Sequence, residues 1–104
     1  MGSRRPGTPR LAAAEAARLR AMLAAIPLSD EPFGGAKTTE PATLVALVYY
    51  HGLWERSWEA WQAGEIASPL PYDHAYHSSG GEYIALGSPA SLVARLMALT
   101  EAER

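Results

Sequence analysis

One stretch constrains this chain more than any other, residues 39–66, TEPATLVALVYYHGLWERSWEAWQAGEI. It contains all three tryptophans and has a glycine, Gly52, near its middle. Residues 42–50 are apolar nearly all round, which is typical of a buried helix. Glycine readily adopts the left-handed conformation that ends a helix. The stretch therefore predicts two helices, at about 40–51 and 53–63, joined at Gly52.

The tryptophans predict which side of the second of these helices is buried. Trp54, Trp58 and Trp61 recur at steps of four and three, so they share one face of a helix. We expect Trp58 and Trp61 to point inward. Tyr49, Tyr50 and Trp54 cannot all face the same core as those two, so Trp54 is the tryptophan that we expect at the surface.

The rest of the chain predicts a mainly α fold with a small β-hairpin. Its 104 residues suit one small domain. Ser88-Pro89 is a helix start, and Pro27 ends the first apolar-periodic run. The predicted organisation is a flexible basic arm at 1–9 and a single helical domain at 10–104, with further helices at about 10–26 and 89–102, a hairpin or strand region at about 66–87, and a hairpin tip at 78–81.

Charge is distributed unevenly along the chain. Residues 1–29 carry five arginines and one glutamate, a net of +4, whereas residues 30–104 carry four basic and ten acidic residues, a net of −6. A basic arm suits contact with nucleic acid or serves as a solubilising terminus. The chain has no cysteine, which excludes disulfides and thiolate metal sites. No apolar run approaches the length of a membrane span, and we expect a cytoplasmic protein that binds no membrane.

The order of motifs also resembles a known class of proteins. Gly52 is followed by Leu53, and Trp58 and Trp61 take two further apolar positions, as in a helix-turn-helix unit. Ala63-Gly64-Glu65-Ile66, an excursion, Tyr83-Ile84 and the helical SPASLVARL come next. Over about residues 43–98 this order is similar to small winged helix-turn-helix regulators of the excisionase-like and pyocin-activator-like type. The resemblance implies a helix-turn-helix-like core of the winged-helix type and a DNA-binding regulator of a phage or mobile element.

The resemblance and the surface pattern together nominate binding residues. In those regulators the outer face of the second helix enters the major groove, and here that face carries two carboxylates and one arginine. An acidic surface with exposed aromatic side chains also suits a protein-protein interaction module, or a phage-type inhibitor or antitoxin-like protein. A homodimer is compatible with either function. The residues that we expect to contact DNA or a protein partner are Trp54, Glu55, Arg56, Ser57, Glu59, Gln62, Arg4 and Arg5.

The sequence also contains candidate residues for a metal site and for an enzyme site. Asp73, His74 and His77 lie within five residues, and His51 is a further candidate nitrogen ligand for a divalent metal. Their spacing matches no metal motif, so we predict no metal and no cofactor. Ser78 and Ser79 lack a nucleophile elbow, and we predict a non-enzymatic regulatory protein without catalytic residues.

Overall fold

The computed structural model describes residues 11–33, 40–79 and 82–101, with the backbone alone at 77–79 and 82–84. These residues form a small compact domain of three helices with one antiparallel pair of strands, so the mainly α fold is confirmed. The arm at 1–9, including Arg4 and Arg5, lies outside the described residues. In chain order the elements are α1 (Ala13–Leu23), α2 (Pro41–Gln62), β1 (Tyr76–Ser79), β2 (Glu82–Ala85) and α3 (Pro89–Glu101).

The helices predicted at 40–51 and 53–63 are one continuous helix of 22 residues, so the predicted turn at Gly52 is wrong. The described glycines with positive φ are Gly64 and Gly87, and Gly52 is not among them. A glycine inside a helix costs only about 1 kcal/mol relative to alanine. Burial of the apolar side chains on both sides of it outweighs that cost. The helix-turn-helix-like core predicted for this stretch is therefore not formed there.

Both ends of α2 are closed by capping interactions. Glu40 is the N-cap of α2. The Glu40 carboxylate accepts the backbone N–H of Thr43 at 3.0 Å and its hydroxyl at 3.2 Å. Gly64 follows the C-terminal end with φ of 78°, the left-handed conformation in which glycine commonly ends a helix.

The core is formed where the three helices and β1 meet. Its largest side chains come from all three helices and include Leu19, Leu47, Tyr50, Leu53, Leu92 and Leu96. Because α2 does not bend at Gly52, the buried face set by Leu47 and Tyr50 continues to Leu53 and Ser57 and ends there. Trp58 and Trp61 lie on nearly the same side of α2 as Leu47 and Tyr50, but past the end of the buried face, and each is 39% exposed. The prediction that Trp58 and Trp61 are buried in the core is therefore wrong.

The remaining helices differ from prediction at their ends. The α1 helix ends at Leu23, before the predicted end at 26, although Ile26 is still buried in the core. The α3 helix begins at Pro89 as predicted, and its last predicted residue, 102, lies outside the described residues. Ser57 was expected at the surface, but it is fully buried.

The strand region at 66–87 contains one described strand pair. The two strands pair antiparallel, with Tyr76 opposite Ala85 and Ser79 opposite Glu82. Ser78 and Ser79, predicted at the hairpin tip, therefore belong to β1, while residues 80–81 lie outside the described residues. Among the helices described, none combines the length and the apolar character that crossing a membrane requires.

Candidate functional site

Five rings form a continuous surface feature that we call the aromatic ridge: His51, Trp54, Trp58, Trp61 and Tyr72. Ring centroids lie 5.6 Å apart between Trp54 and Trp58 and 5.1 Å apart between Trp58 and Trp61. Tyr72 packs on Trp54 at 4.8 Å and on His51 at 5.8 Å. His51 and Trp54 are 5.9 Å apart. Each ring therefore contacts at least one other, at distances typical of favourable aromatic pairs.

Two segments of the chain build this ridge. Four of its rings follow one another on α2 at steps of three, four and three, the spacing that stacks side chains along a helix. Tyr72 comes from the loop between α2 and β1, which buried Ser57 holds in place. The Ser57 hydroxyl accepts the backbone N–H of Leu70 at 2.8 Å and donates to the carbonyl oxygen of Trp54 at 2.7 Å. Ser57 thus acts beneath the ridge and does not offer a side chain to a partner.

The exposed part of the ridge is its end on the last turns of α2. Trp58 and Trp61 are each 39% exposed, whereas Trp54 is only partly exposed because it packs against the core and Tyr72. The tryptophan spacing therefore predicts one shared face, but Trp58 and Trp61 are its more exposed members and Trp54 its more buried one. Tyr72 could not be predicted as part of this face, because no local pattern indicates that this loop residue returns to α2.

Carboxylates dominate the charged residues around the ridge. Glu55, Glu59 and Glu65 are all exposed, and Glu55 lies 3.6 Å from His51. Gln62, also exposed, lies beside them on the last turn of α2. Of the residues nominated from sequence, the structure thus places Glu55, Glu59 and Gln62 at the surface close to Trp54.

Arg56, the one nominated cation on α2, is directed towards α1. Its guanidinium lies 3.3 Å from the Glu15 carboxylate, which also accepts the hydroxyl of Tyr49. The Tyr49 hydrogen bond is the largest of the influences that lower the pKa of Glu15. Burial, followed by the Glu15 bond, raises the pKa of Tyr49 to about 12. Arg56 is therefore part of the contact between α1 and α2.

A second polar cluster lies between the loop before β1 and α3. His74 Nδ1 is 2.9 Å from Asp73 Oδ1, and His74 Nε2 is 2.8 Å from Ser91 Oγ. We call these three residues the Ser91–His74–Asp73 chain. Arg95 donates to the other Asp73 oxygen, and the Tyr50 hydroxyl lies 3.3 Å from Oδ1. Although burial raises the pKa of Asp73, the bonds from His74 and Arg95 outweigh burial and lower it overall.

Gly87 gives His74 its place in this cluster. The φ of Gly87 is 84°, and a Cβ built there would stand 2.3 Å from the His74 ring carbon Cδ2. Both the backbone conformation and the close approach therefore require glycine. His74 is 7% exposed, beneath Gly87 and beside α3.

The candidate metal ligands do not form a metal site within the part of the chain that the structure describes. Both ring nitrogens of His74 are engaged, with Asp73 and Ser91. No group of three or more His, Asp or Glu residues there is placed to hold a metal ion. The side chain of His77 lies outside the described residues.

Comparison with protein-family models, curated proteins and solved structures found no match. Evidence about function therefore comes from the geometry of the two clusters.

Proposed function

We propose that this chain is a protein-interaction module, that the aromatic ridge is its binding surface, and that the partner presents arginine or lysine side chains to it. The observation that carries the proposal is that Trp58 and Trp61 stack on each other, each 39% exposed, at the end of α2. Tryptophan and tyrosine are enriched at protein interfaces, where they bury a large area for few rotatable bonds. Two adjacent tryptophans are thus suitable anchors.

The contacts within the ridge support a prepared surface. Trp58 is held between Trp54 and Trp61, while Tyr72 and the buried Ser57 hold the base of the ridge. Side chains that already contact one another lose less conformational freedom when a partner binds. More of the binding free energy therefore remains available for affinity.

The charges around the ridge support a cationic partner. Three exposed carboxylates, Glu55, Glu59 and Glu65, lie on or just beyond the turns of α2 that carry the exposed rings, and the nearby Arg56 is engaged with Glu15. Guanidinium and ammonium groups bind the faces of tryptophan rings and form ion pairs with carboxylates. An arginine-rich or lysine-rich segment satisfies both features at once.

DNA binding, which the sequence resemblance implies, has less support. The continuous α2 offers no second helix of a helix-turn-helix unit between 39 and 66. Carboxylates near the exposed tryptophans repel phosphates and disfavour binding to a DNA backbone. The basic Arg4 and Arg5 remain as the features that favour it.

A labelled, short arginine-rich peptide tests the proposal by fluorescence anisotropy at low salt. We expect binding that weakens as salt is added, because exposed charges are screened. The double variant Trp58→Ala/Trp61→Ala should weaken binding about tenfold or more, as expected for loss of interface anchors. Glu55→Gln/Glu59→Gln should also weaken it, and most strongly at low salt.

The matched control is Val45→Ala/Val48→Ala, which removes two exposed apolar side chains of α2, each 53% exposed, outside the ridge. This control should bind the peptide like the unaltered chain. The proposal would be contradicted if the control and the Trp58→Ala/Trp61→Ala variant lost equal affinity for the peptide. It would also be contradicted if the unaltered chain bound a glutamate-rich peptide equally well. Salt-sensitive binding of a DNA duplex in place of the peptide would favour the regulator function, and self-association abolished by the tryptophan variant would identify a second copy as the partner.

A further inference from the structure

The Ser91–His74–Asp73 chain has the connectivity of a nucleophile, a base and a group that orients the base. Ser91 Oγ lies 2.8 Å from one ring nitrogen of His74, and Asp73 Oδ1 lies 2.9 Å from the other. Hydrogen-bond contact in this order is the signature of an activated serine. The three residues come from two segments, the loop before β1 and the first turn of α3.

The hydrogen-bond donors and acceptors assign the protons along this chain. An ionised Asp73 only accepts, so His74 Nδ1 carries the proton between them. In that tautomer a neutral ring has a lone pair at Nε2, an acceptor for the Ser91 hydroxyl, whose other acceptor is the Ser88 carbonyl oxygen at 3.1 Å. Ser91 Oγ in turn accepts the backbone N–H of Ser88 at 2.9 Å and the Ser88 hydroxyl at 3.0 Å. Both donors, with the positive end of α3, stabilise negative charge that develops on Oγ.

Ser91 is accessible to a substrate. Its side chain is exposed, unlike that of His74, and it lines two open cavities. One, of about 290 Å³, is formed with His74, Ala94, Arg95 and Ala98. The other, of about 420 Å³, is formed mainly by the segment that leads into α3, with Asp30 and Pro32 opposite. Because Ser91 borders both cavities, a substrate that reaches Ser91 has room in either of them.

A donor for a developing oxyanion is also present. The backbone N–H groups at the start of α3 already have acceptors. The N–H of Ser88 donates to the Ser91 hydroxyl and the N–H of Ser91 to the Ser88 hydroxyl, while the N–H of Leu92 donates to the Ser88 carbonyl oxygen. Arg95, one helical turn after Ser91, lines the smaller cavity. Its Nε is buried and has no hydrogen-bond partner among the described residues. Because Nε is buried, a substrate meets the exposed part of the Arg95 side chain, whose positive charge stabilises an oxyanion bound in that cavity.

We propose that Ser91 is a nucleophile that hydrolyses small esters, with His74 as general base, Asp73 as positioning residue and the charge of Arg95 stabilising the oxyanion. Ser91 Oγ bonds to the carbonyl carbon while its proton passes to His74 Nε2. The tetrahedral intermediate collapses, the bond to the leaving alkoxide breaks, and the His74 proton converts that alkoxide to an alcohol. The product of this half-reaction is an acylated Ser91.

Water completes the cycle. It gives a proton to His74 as its oxygen attacks the acyl carbon, and the second collapse returns that proton to Ser91 Oγ and releases the carboxylic acid. One ester and one water thus give one acid and one alcohol. The smaller cavity and its alanine side chains, Ala94 and Ala98, favour short acyl groups. This activity is separate from the aromatic ridge, and it departs from the non-enzymatic function expected from the sequence.

A fluorophosphonate probe tests the proposal on the full-length chain. Phosphonylation of a serine displaces fluoride, and intact mass followed by peptide mapping locates the adduct. We expect one adduct, at Ser91, with the other serines unmodified. Mapping on the unaltered protein does not depend on whether any variant folds. An adduct that is absent or lies at another serine would overturn the proposal.

Hydrolysis of p-nitrophenyl acetate provides the second measurement. Ser91→Ala should reduce the rate to the uncatalysed background, and His74→Gln should lower it about 100-fold or more, as for loss of a general base. Ser68→Ala, an exposed serine outside the cluster, should leave the rate unchanged. Asp73→Asn should slow hydrolysis, and Asp73→Glu should recover part of the loss if the carboxylate orients His74. An unchanged rate in folded Ser91→Ala would refute the assignment.

Discussion

Replacing Gly52 with alanine distinguishes a continuous α2 from a helix pair hinged at this residue. Gly52 lies inside the helix, and a Cβ built on it meets nothing within 4 Å. Alanine therefore gains helix propensity without a clash, and the free energy of unfolding should rise by about 1 kcal/mol. For a domain of this size that corresponds to a melting temperature about 4–8 °C higher.

Two other glycines calibrate the measurement. Gly64→Ala meets open space but must adopt φ near 78°, which costs about 1–2 kcal/mol. Gly87→Ala has a similar backbone cost and, in addition, places a Cβ 2.3 Å from His74. His74 must then move and lose its bonds to Asp73 and Ser91, which costs about 1–3 kcal/mol more. The expected order of stability is Gly52→Ala, the unaltered chain, Gly64→Ala and Gly87→Ala.

Urea unfolding followed by circular dichroism measures all four proteins. The midpoints should follow that order with an unchanged dependence on denaturant, as expected when the substitutions change stability and not the surface exposed on unfolding. If Gly52→Ala lowered the free energy of unfolding by 1 kcal/mol or more, Gly52 would need its left-handed conformation. That result would refute the continuous helix and restore the hinge expected from the sequence.

Three further perturbations test the packing around the ridge and the α1–α2 contact. Ser57→Ala leaves the buried Leu70 N–H without its acceptor and should lower the free energy of unfolding by about 1–3 kcal/mol in urea. Trp58→Ala should change the melting temperature much less than Leu53→Ala, because Trp58 is 39% and Leu53 1% exposed; equal shifts would place Trp58 in the core. The pKa of Tyr49 is raised to about 12 from an ordinary 10.0. The resulting contribution to the free energy of unfolding is fully present below pH 10 and is lost as pH rises towards 12. Tyr49→Phe should therefore make unfolding free energies, measured between pH 10 and 12, fall less steeply; an unaltered slope would contradict this.

The tryptophans show how far a local pattern can be interpreted. Their spacing correctly places all three along one side of a helix. The spacing does not specify which part of that side meets the core, because that depends on whether residues 41–51 continue into the same helix. Once α2 is continuous, Leu47, Tyr50, Leu53 and Ser57 occupy the inward face, and Trp58 and Trp61 remain accessible.

The polar cluster shows a different limit. The sequence indicates a helix start at Ser88-Pro89 and adjacent acidic and imidazole groups at Asp73 and His74, each from local chemistry. Ser91 meets His74 only because β1 and β2 return the chain to α3. A contact between residues 17 apart has no local signature in the sequence. Local spacing therefore indicates Ser78 and Ser79, and not Ser91, as the serines near a histidine.

Local physical chemistry therefore accounts for the helical character, the proline-led start of α3, the glycine stop of α2 and the uneven charge, because propensity, capping and composition act within a few residues. Tertiary packing accounts for the continuity of α2, the exposed tryptophans and the juxtaposition of Ser91 with His74. Those features depend on which surfaces are buried together, and the burial of apolar side chains around Gly52 outweighs the roughly 1 kcal/mol by which glycine disfavours a helix.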